Sequence, residues 1–162
     1  MLSLNAHLPD EAATLSLGAA LAASLEPGLA IYLSGELGAG KTTLVRGVLR
    51  ALGHTGAVKS PTYTLVEVYE VSRLNLHHFD FYRFRDPREW IDAGFRESFN
   101  GLNISLIEWP EKAAGLLPPA DTQITLTASG SGRNVSLQAS SPGGMRFLEN
   151  TASRFPLSAS TS

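Results

Sequence analysis

The stretch Leu29–Thr43, LAIYLSGELGAGKTT, decides the fold. Its first six residues are a short apolar run closing on serine, the pattern of a buried strand. Gly35 to Thr42 then follow the spacing glycine, four residues, Gly-Lys-Thr of a P-loop. Glycines let the backbone fold tightly enough for successive N–H groups to converge on phosphate oxygens. The helix expected from Lys41 adds unpaired N–H donors and the positive end of its dipole. Lys41 supplies a point charge for the β- and γ-phosphates, and Thr42 a hydroxyl for Mg2+. The competing reading is a glycine-rich turn with no ligand. With glycine at roughly 7% of residues, a chance match in a chain of this length is on the order of 1%. The strand before the motif and the amphipathic helix after it lower that further.

Outward from the motif, Leu44, Val45, Val48, Leu49 and Leu52 share one face of a helix that Gly53 ends. Upstream, Asp10 is an N-cap for a helix from Glu11 to Leu25, with Leu17, Leu21 and Leu25 as its buried stripe and Pro27-Gly28 as its stop. Residues 12–25 carry no charge. They fall short of the roughly 20 apolar residues that span a bilayer. Glu11 and Glu26 flank them and no Lys or Arg precedes them, so the expectation is an amphipathic surface helix and no membrane role.

Downstream, residues 54–62 read as a loop. Tyr63–Val71 and Leu74–Tyr82 read as a β-hairpin turning at Ser72-Arg73. Asp86-Pro87-Arg88-Glu89 has the form of a helix start, carrying Trp90 and Ile91 and breaking near Gly94. Ile104–Glu108 is a second buried-strand candidate ended by Pro110. Asp121–Ala128 and Asn134–Ala139 form a closing antiparallel pair around Gly130-Ser131-Gly132. From Ser140 the chain is rich in Ser, Gly, Pro and Thr. The expected organisation is one P-loop ATPase domain over residues 1–139 and a flexible tail over 140–162.

The 162 residues suit one domain, and a hydrophobic fraction of 43% suffices for a core. Absence of cysteine excludes a disulfide framework, a thiolate metal site and a cysteine nucleophile, and fits a cytosolic home. A net charge of -2 without a basic stripe argues against direct, tight nucleic-acid binding.

A P-loop also needs a strand-end carboxylate for Mg2+. Asp80 and Glu108 compete. Glu108 ends the cleaner apolar run and is favoured as the metal partner, with Asp80 orienting water or standing behind the metal ligands. For each, a solvated strand-end acid is the bland alternative. His77 and His78 face opposite sides of a strand and cannot share a metal. His7 and His54 are placed in loops, and no histidine chemistry is expected. Arg83 and Arg85 just past Asp80 are read as solvated or capping residues before phosphate contacts. No Asp-x-x-Gly switch or Asn-Lys-x-Asp guanine reader is present, which argues against a GTPase.

Four ordered segments carry a resemblance: Ser34–Thr43, Lys59–Val66 (KSPTYTLV), His78–Arg83 (HFDFYR) and Ile107–Glu111 (IEWPE). Together they resemble the bacterial TsaE family, the ATPase of the tRNA threonylcarbamoyladenosine system, over roughly residues 1–139. The resemblance implies an α/β, three-layer P-loop NTPase-like fold with a mixed parallel and antiparallel sheet flanked by helices. It implies ATP and Mg2+ as cofactors. It also implies two protein partners of the threonylcarbamoyl-transfer complex, TsaB- and TsaD-like, with tRNA reached only through them. ATP hydrolysis in such a protein resets the partner enzyme between rounds. By the same resemblance Glu36, Leu37, Gly38, Ala39, Gly40, Lys41, Thr42 and Thr43 wrap the phosphates, and Thr42 and Glu108 meet Mg2+. Asp80 is the acid for hydrolysis beside Lys41, Ser60-Pro61-Thr62 is a switch-like loop, and Thr14 and Arg133 approach the adenine. A small-molecule kinase and a nucleotide-gated binding module with negligible hydrolysis are the competing readings.

Overall fold

Leucines alternate with polar residues along Leu2–Leu8, and this period of two makes the N-terminal segment a strand, β1. The computed structural model describes residues 2–59, 61, 65–86, 88–89 and 94–159. After β1 come α1 (Glu11–Ser24), β2 (Ala30–Ser34), α2 (Lys41–Ala51), β3 (Val66–Val71), β4 (Leu74–Asp80) and β5 (Ile104–Glu108). The chain closes with β6 (Thr122–Ser129), β7 (Gly132–Ala139), α3 (Pro142–Ala152) and a short β8 (Ser158–Ala159). Single 3-10 turns lie at Phe95–Ser98 and Pro110–Ala113.

The strands form one eight-stranded sheet in the order β3-β4-β5-β2-β6-β7-β1-β8. β4, β5, β2 and β6 run parallel, and the hairpins β3–β4 and β6–β7 add antiparallel pairs at their flanks. The expected α/β mixed sheet is therefore the observed one. The glycine-rich loop Gly35–Gly40 follows β2, a central strand with parallel neighbours on both sides. Loops at the carboxyl ends of such strands are where open α/β sheets place ligands.

Strand alternation sorts two cores. Ile31, Leu33, Leu76, Ile104 and Leu106 point to the face covered by α1, α2 and α3. Phe79 and Ile107 point to the other face, where Phe81, Phe84 and Phe95 pack over them. The rings of Phe79 and Phe81 stack at 5.5 Å, and Phe95 meets Phe79 edge-on at the same distance. On the helical side α1 and α2 cross at two glycines. A Cβ on Gly18 would lie 2.9 Å from the Gly47 backbone, and one on Gly47 would lie 2.8 Å from the Leu15 carbonyl. No side chain fits between these helices, and the contact seats α2 and the loop before it.

The structure corrects two expectations. Residues 141–159 are not a loose tail: Phe147, Leu148 and Thr151 are fully buried on one face of α3, the first two within the main core. Ser141 caps this helix, accepting from the Gly144 N–H at 3.0 Å, and donates to Asp121 Oδ1 at 2.6 Å. Asp121 in turn accepts the Ala30 N–H at 2.8 Å, which ties α3 to the start of β2. Average composition concealed the i, i+1, i+4 spacing that buries this helix. His7 is not in a loop either; it lies in β1, its Nδ1 2.8 Å from Asn134 Oδ1 on β7.

At Asp86 the Glu89 side chain reaches back as at a helix start, its Oε1 accepting the Asp86 N–H at 3.2 Å, and the Glu89 N–H closes a turn on Asp86 O at 2.9 Å. Most of the helix expected there, with Trp90 and Ile91, lies outside the described residues. Among those described, no helix is long and apolar enough to cross a membrane.

Candidate nucleotide site

Three glycines give the Gly35–Gly40 loop its shape, with φ of 147°, 80° and 104° at Gly35, Gly38 and Gly40. At Gly35 the restriction is spatial as well. An added Cβ would sit 2.5 Å from the Leu126 carbonyl oxygen of β6, so the loop presses against the neighbouring strand. Ala39 N–H closes a turn on Glu36 O at 3.0 Å. Gly40 takes the N-cap position of α2 and caps it with no side chain. The first-turn N–H groups and positive dipole end of α2 therefore keep the anion-binding character of a helix start.

Lys41 is the first residue of that helix and is buried. Its Nζ donates to Gly35 O at 2.6 Å and lies 4.1 Å from the centre of the Trp109 ring. Backbone carbonyl and indole face together hold a cation at the mouth of the loop. Trp109 reaches there because it adopts a left-handed conformation, φ 57° and ψ 50°, directly before Pro110. A residue preceding proline is ordinarily extended. This turn brings the chain sharply round after Glu108, and Tyr82 packs 5.0 Å from the indole.

Asp80 and Glu108 are register partners at the carboxyl ends of the parallel strands β4 and β5. Leu33, one residue before β2 ends, pairs with Glu108 on its other side. The two acids weighed for the metal thus stand side by side. Glu108 is 2% exposed, and its Oε2 lies 2.6 Å from Nε2 of the fully buried His78. Asp80 is half-buried and accepts the Tyr82 N–H at 3.0 Å. Burial holds its carboxyl above the usual carboxylate range. The Tyr82 bond opposes that, Glu108 adds to it, and His78 and Lys41 draw it back down. Asp80 also lines a cleft of about 260 Å³ with Leu37, Pro61, Tyr82 and Arg83. Ser60 and Thr62, expected around Pro61 in a switch-like loop, lie outside the described residues.

On the opposite side of the loop, Thr14, Gly40, Thr43 and Arg133 line a second cleft of about 210 Å³ with Asp10 and Glu11. Residues from α1, α2 and β7 that are remote in sequence thus meet beside the loop. Arg133 has a further, more specific task. Its Nε donates to Ala39 O at 2.9 Å and its Nη2 to Gly38 O at 2.9 Å. Because a peptide unit is planar and trans, pinning the Ala39 carbonyl toward Arg133 turns the Gly40 N–H away from it. Glu36, Leu37 and Gly38 form the exposed tip of the loop, while Thr42 and Thr43 occupy the first turn of α2.

Sequence reasoning missed the part played by His78. The signal was its position two residues before Asp80, which in a strand places both on one face. His77 points the other way, to Ser98 Oγ at 3.1 Å. Arg133 was assigned by resemblance alone, and no local pattern announced that it would hold the loop.

The cradle fits a triphosphate on its own geometry. It has an uncapped helix start, a lysine folded into the loop and three glycines at positive φ that shape its backbone. A hydroxyl and a carboxylate are a donor set that Mg2+ accepts when phosphate oxygens complete it.

The family model described as threonylcarbamoyl adenosine biosynthesis protein TsaE matches residues 8–135. A Haemophilus influenzae protein named tRNA threonylcarbamoyladenosine biosynthesis protein TsaE is 46% identical over 144 residues, covering 86% of this chain and 91% of that one. A Bacillus subtilis protein of the same name is 38% identical over 122 residues, 75% of each chain. The crystal structure of Bacillus subtilis YdiB superposes with a TM-score of 0.81 at 28% identity, covering 94% of this chain and 97% of its own. With a family model matching most of its length and relatives of that name at up to 46% identity, the chain belongs to the TsaE family.

Proposed function

We propose that this chain is the Mg2+-dependent ATPase of tRNA threonylcarbamoyladenosine biosynthesis. In this reading it binds ATP in the Gly35–Thr43 loop and hydrolyses it to drive or reset a partner complex. One observation supports it most strongly. The uncapped start of α2, the Lys41 ammonium and the paired acids Asp80 and Glu108 share one end of the sheet.

Lys41 would exchange its bond to Gly35 for contact with phosphate oxygens, and the main-chain N–H groups around Gly40 would surround them. Thr42 and Glu108 would hold Mg2+, Thr43 would stay with the phosphates, and Thr14 and Arg133 would border the nucleoside side. Bound Mg·ATP supplies the phosphoanhydride bond and the charge neutralisation that its cleavage needs. Asp80 would orient water. Its raised basicity, set by burial and by Glu108, suits a group that takes a hydrogen bond from the attacking molecule.

TsaB- and TsaD-like proteins are the expected partners in the cytoplasm, with tRNA reached through them. The net charge of -2 is consistent with indirect contact to nucleic acid. Calorimetric titration with ATP and Mg2+, and phosphate release measured alone and with both partners, test the activity. Binding with faster release in the complex is expected. Absence of ATP binding refutes the site, and transfer of labelled phosphate to a metabolite marks a kinase. Normal threonylcarbamoyladenosine in cells lacking the protein refutes the pathway.

A further inference from the structure

His78 has no task in the mechanism above, yet it occupies a costly position. It is fully buried in β4, on the face that Leu76 shares and that the helices cover. Across the sheet its register partner is Leu106, so its imidazole reaches diagonally, two residues further along β5 on the same face, to meet Glu108. The Nε2 to Oε2 distance of 2.6 Å is that of a charge-assisted bond. The other ring nitrogen, Nδ1, is buried with no hydrogen-bond partner. A proton on Nε2 rather than Nδ1 gives the carboxylate a donor and avoids an orphaned N–H. An apolar residue here would match Leu76 and leave no ring nitrogen unsatisfied. What the histidine adds is a fixed direction for one Glu108 oxygen.

We propose that His78 is the positioning residue of the divalent-cation site, orienting the Glu108 carboxylate through its Nε2–H so that it can hold Mg2+ beside the nucleotide. The inference rests on the reading of Glu108 as an Mg2+ partner and adds the residue that makes it competent. Groups that orient a metal-binding side chain characteristically change metal affinity by about 10–100-fold when lost.

The experiment is calorimetric titration of ATP into the full chain, first in EDTA and then across a Mg2+ series. His78→Asn keeps a polar side chain but is too short to reach Oε2. His78→Gln carries an amide nitrogen at about the reach of Nε2. His78→Asn is expected to keep its affinity for ATP in EDTA while its Mg2+ midpoint rises by about 10–100-fold. His78→Gln should recover most of that shift. If His78→Asn folds poorly, His78→Leu and His78→Gln compared at a temperature where both are folded give the same contrast. A His78→Asn midpoint equal to that of the parent overturns the role of His78 while leaving the Mg2+ site standing. Equal losses in EDTA and in Mg2+ overturn it too, by marking the residue as structural. If the parent's affinity ignores Mg2+ altogether, the reading of Glu108 falls and His78 falls with it.

Discussion

Replacing Arg133 by alanine separates holding the phosphate loop from recognising a base. The guanidinium donates to the carbonyls of Ala39 and Gly38, both at 2.9 Å, and reaches them from β7 at the far side of the cleft. A hydrogen bond of this kind contributes about 1 kcal/mol net, and partial exposure keeps these two toward the low end. Together they bias the loop toward its observed shape by about 1–2 kcal/mol, or about a 5–30-fold change in Kd. If Arg133 acts by shaping the loop, the loss is the same for Mg·ATP and for Mg-tripolyphosphate, which has no base. Arg133→Lys keeps the charge but cannot fork across two carbonyls, so it recovers only part of the affinity. Paired calorimetric titrations with the two ligands give the comparison. A loss confined to ATP refutes the reasoning and assigns the side chain to the adenine. No loss with either ligand means the loop holds its shape without it.

Three other perturbations follow from the same geometry. For Asp80 the folded-state pKa is raised, so between its ordinary and raised values the folded chain keeps a proton that the unfolded chain has released. Ionisation of Asp80 therefore opposes folding as pH rises through that window and continues to do so above it. Asp80→Asn should stabilise the fold at neutral pH by less than about 1 kcal/mol after solvent screening, seen as a higher Tm, and abolish phosphate release; a lower Tm contradicts the burial account. Gly47→Val drives a side chain into the Leu15 backbone of α1 and should cost roughly 1–3 kcal/mol in urea unfolding. An unchanged midpoint would mean that the helices can part cheaply. Phe147→Ala should cost about 3–5 kcal/mol by the same measurement, as for any fully buried aromatic; a negligible effect would mean that α3 adds little to the core.

Much of this was legible in local pattern. The P-loop, the strand before it and the helix after it are read within residues 29–52, because each depends on neighbours in sequence. The β3–β4 hairpin and the β6–β7 pair were legible from apolar runs around short turns. β1 carried a period-two signal in Leu2, Leu4 and Leu8 that went unread, and α3 was obscured by its Ser, Gly and Pro content although Ser141 and Pro142 form a proper helix start.

Amino-acid order alone determined the glycine-rich loop and the helix start behind it, since close backbone turns and a helix start need only the right residues in succession. It also nominated Asp80 and Glu108, as acids at the ends of apolar runs. Only the tertiary structure decided that these two stand side by side, that His78 grips one of them, and that Arg133 secures a loop 94 residues away in sequence. Those relations depend on strand order and register in the sheet. Such pairings arise from the packing of distant segments, which no local window of sequence contains.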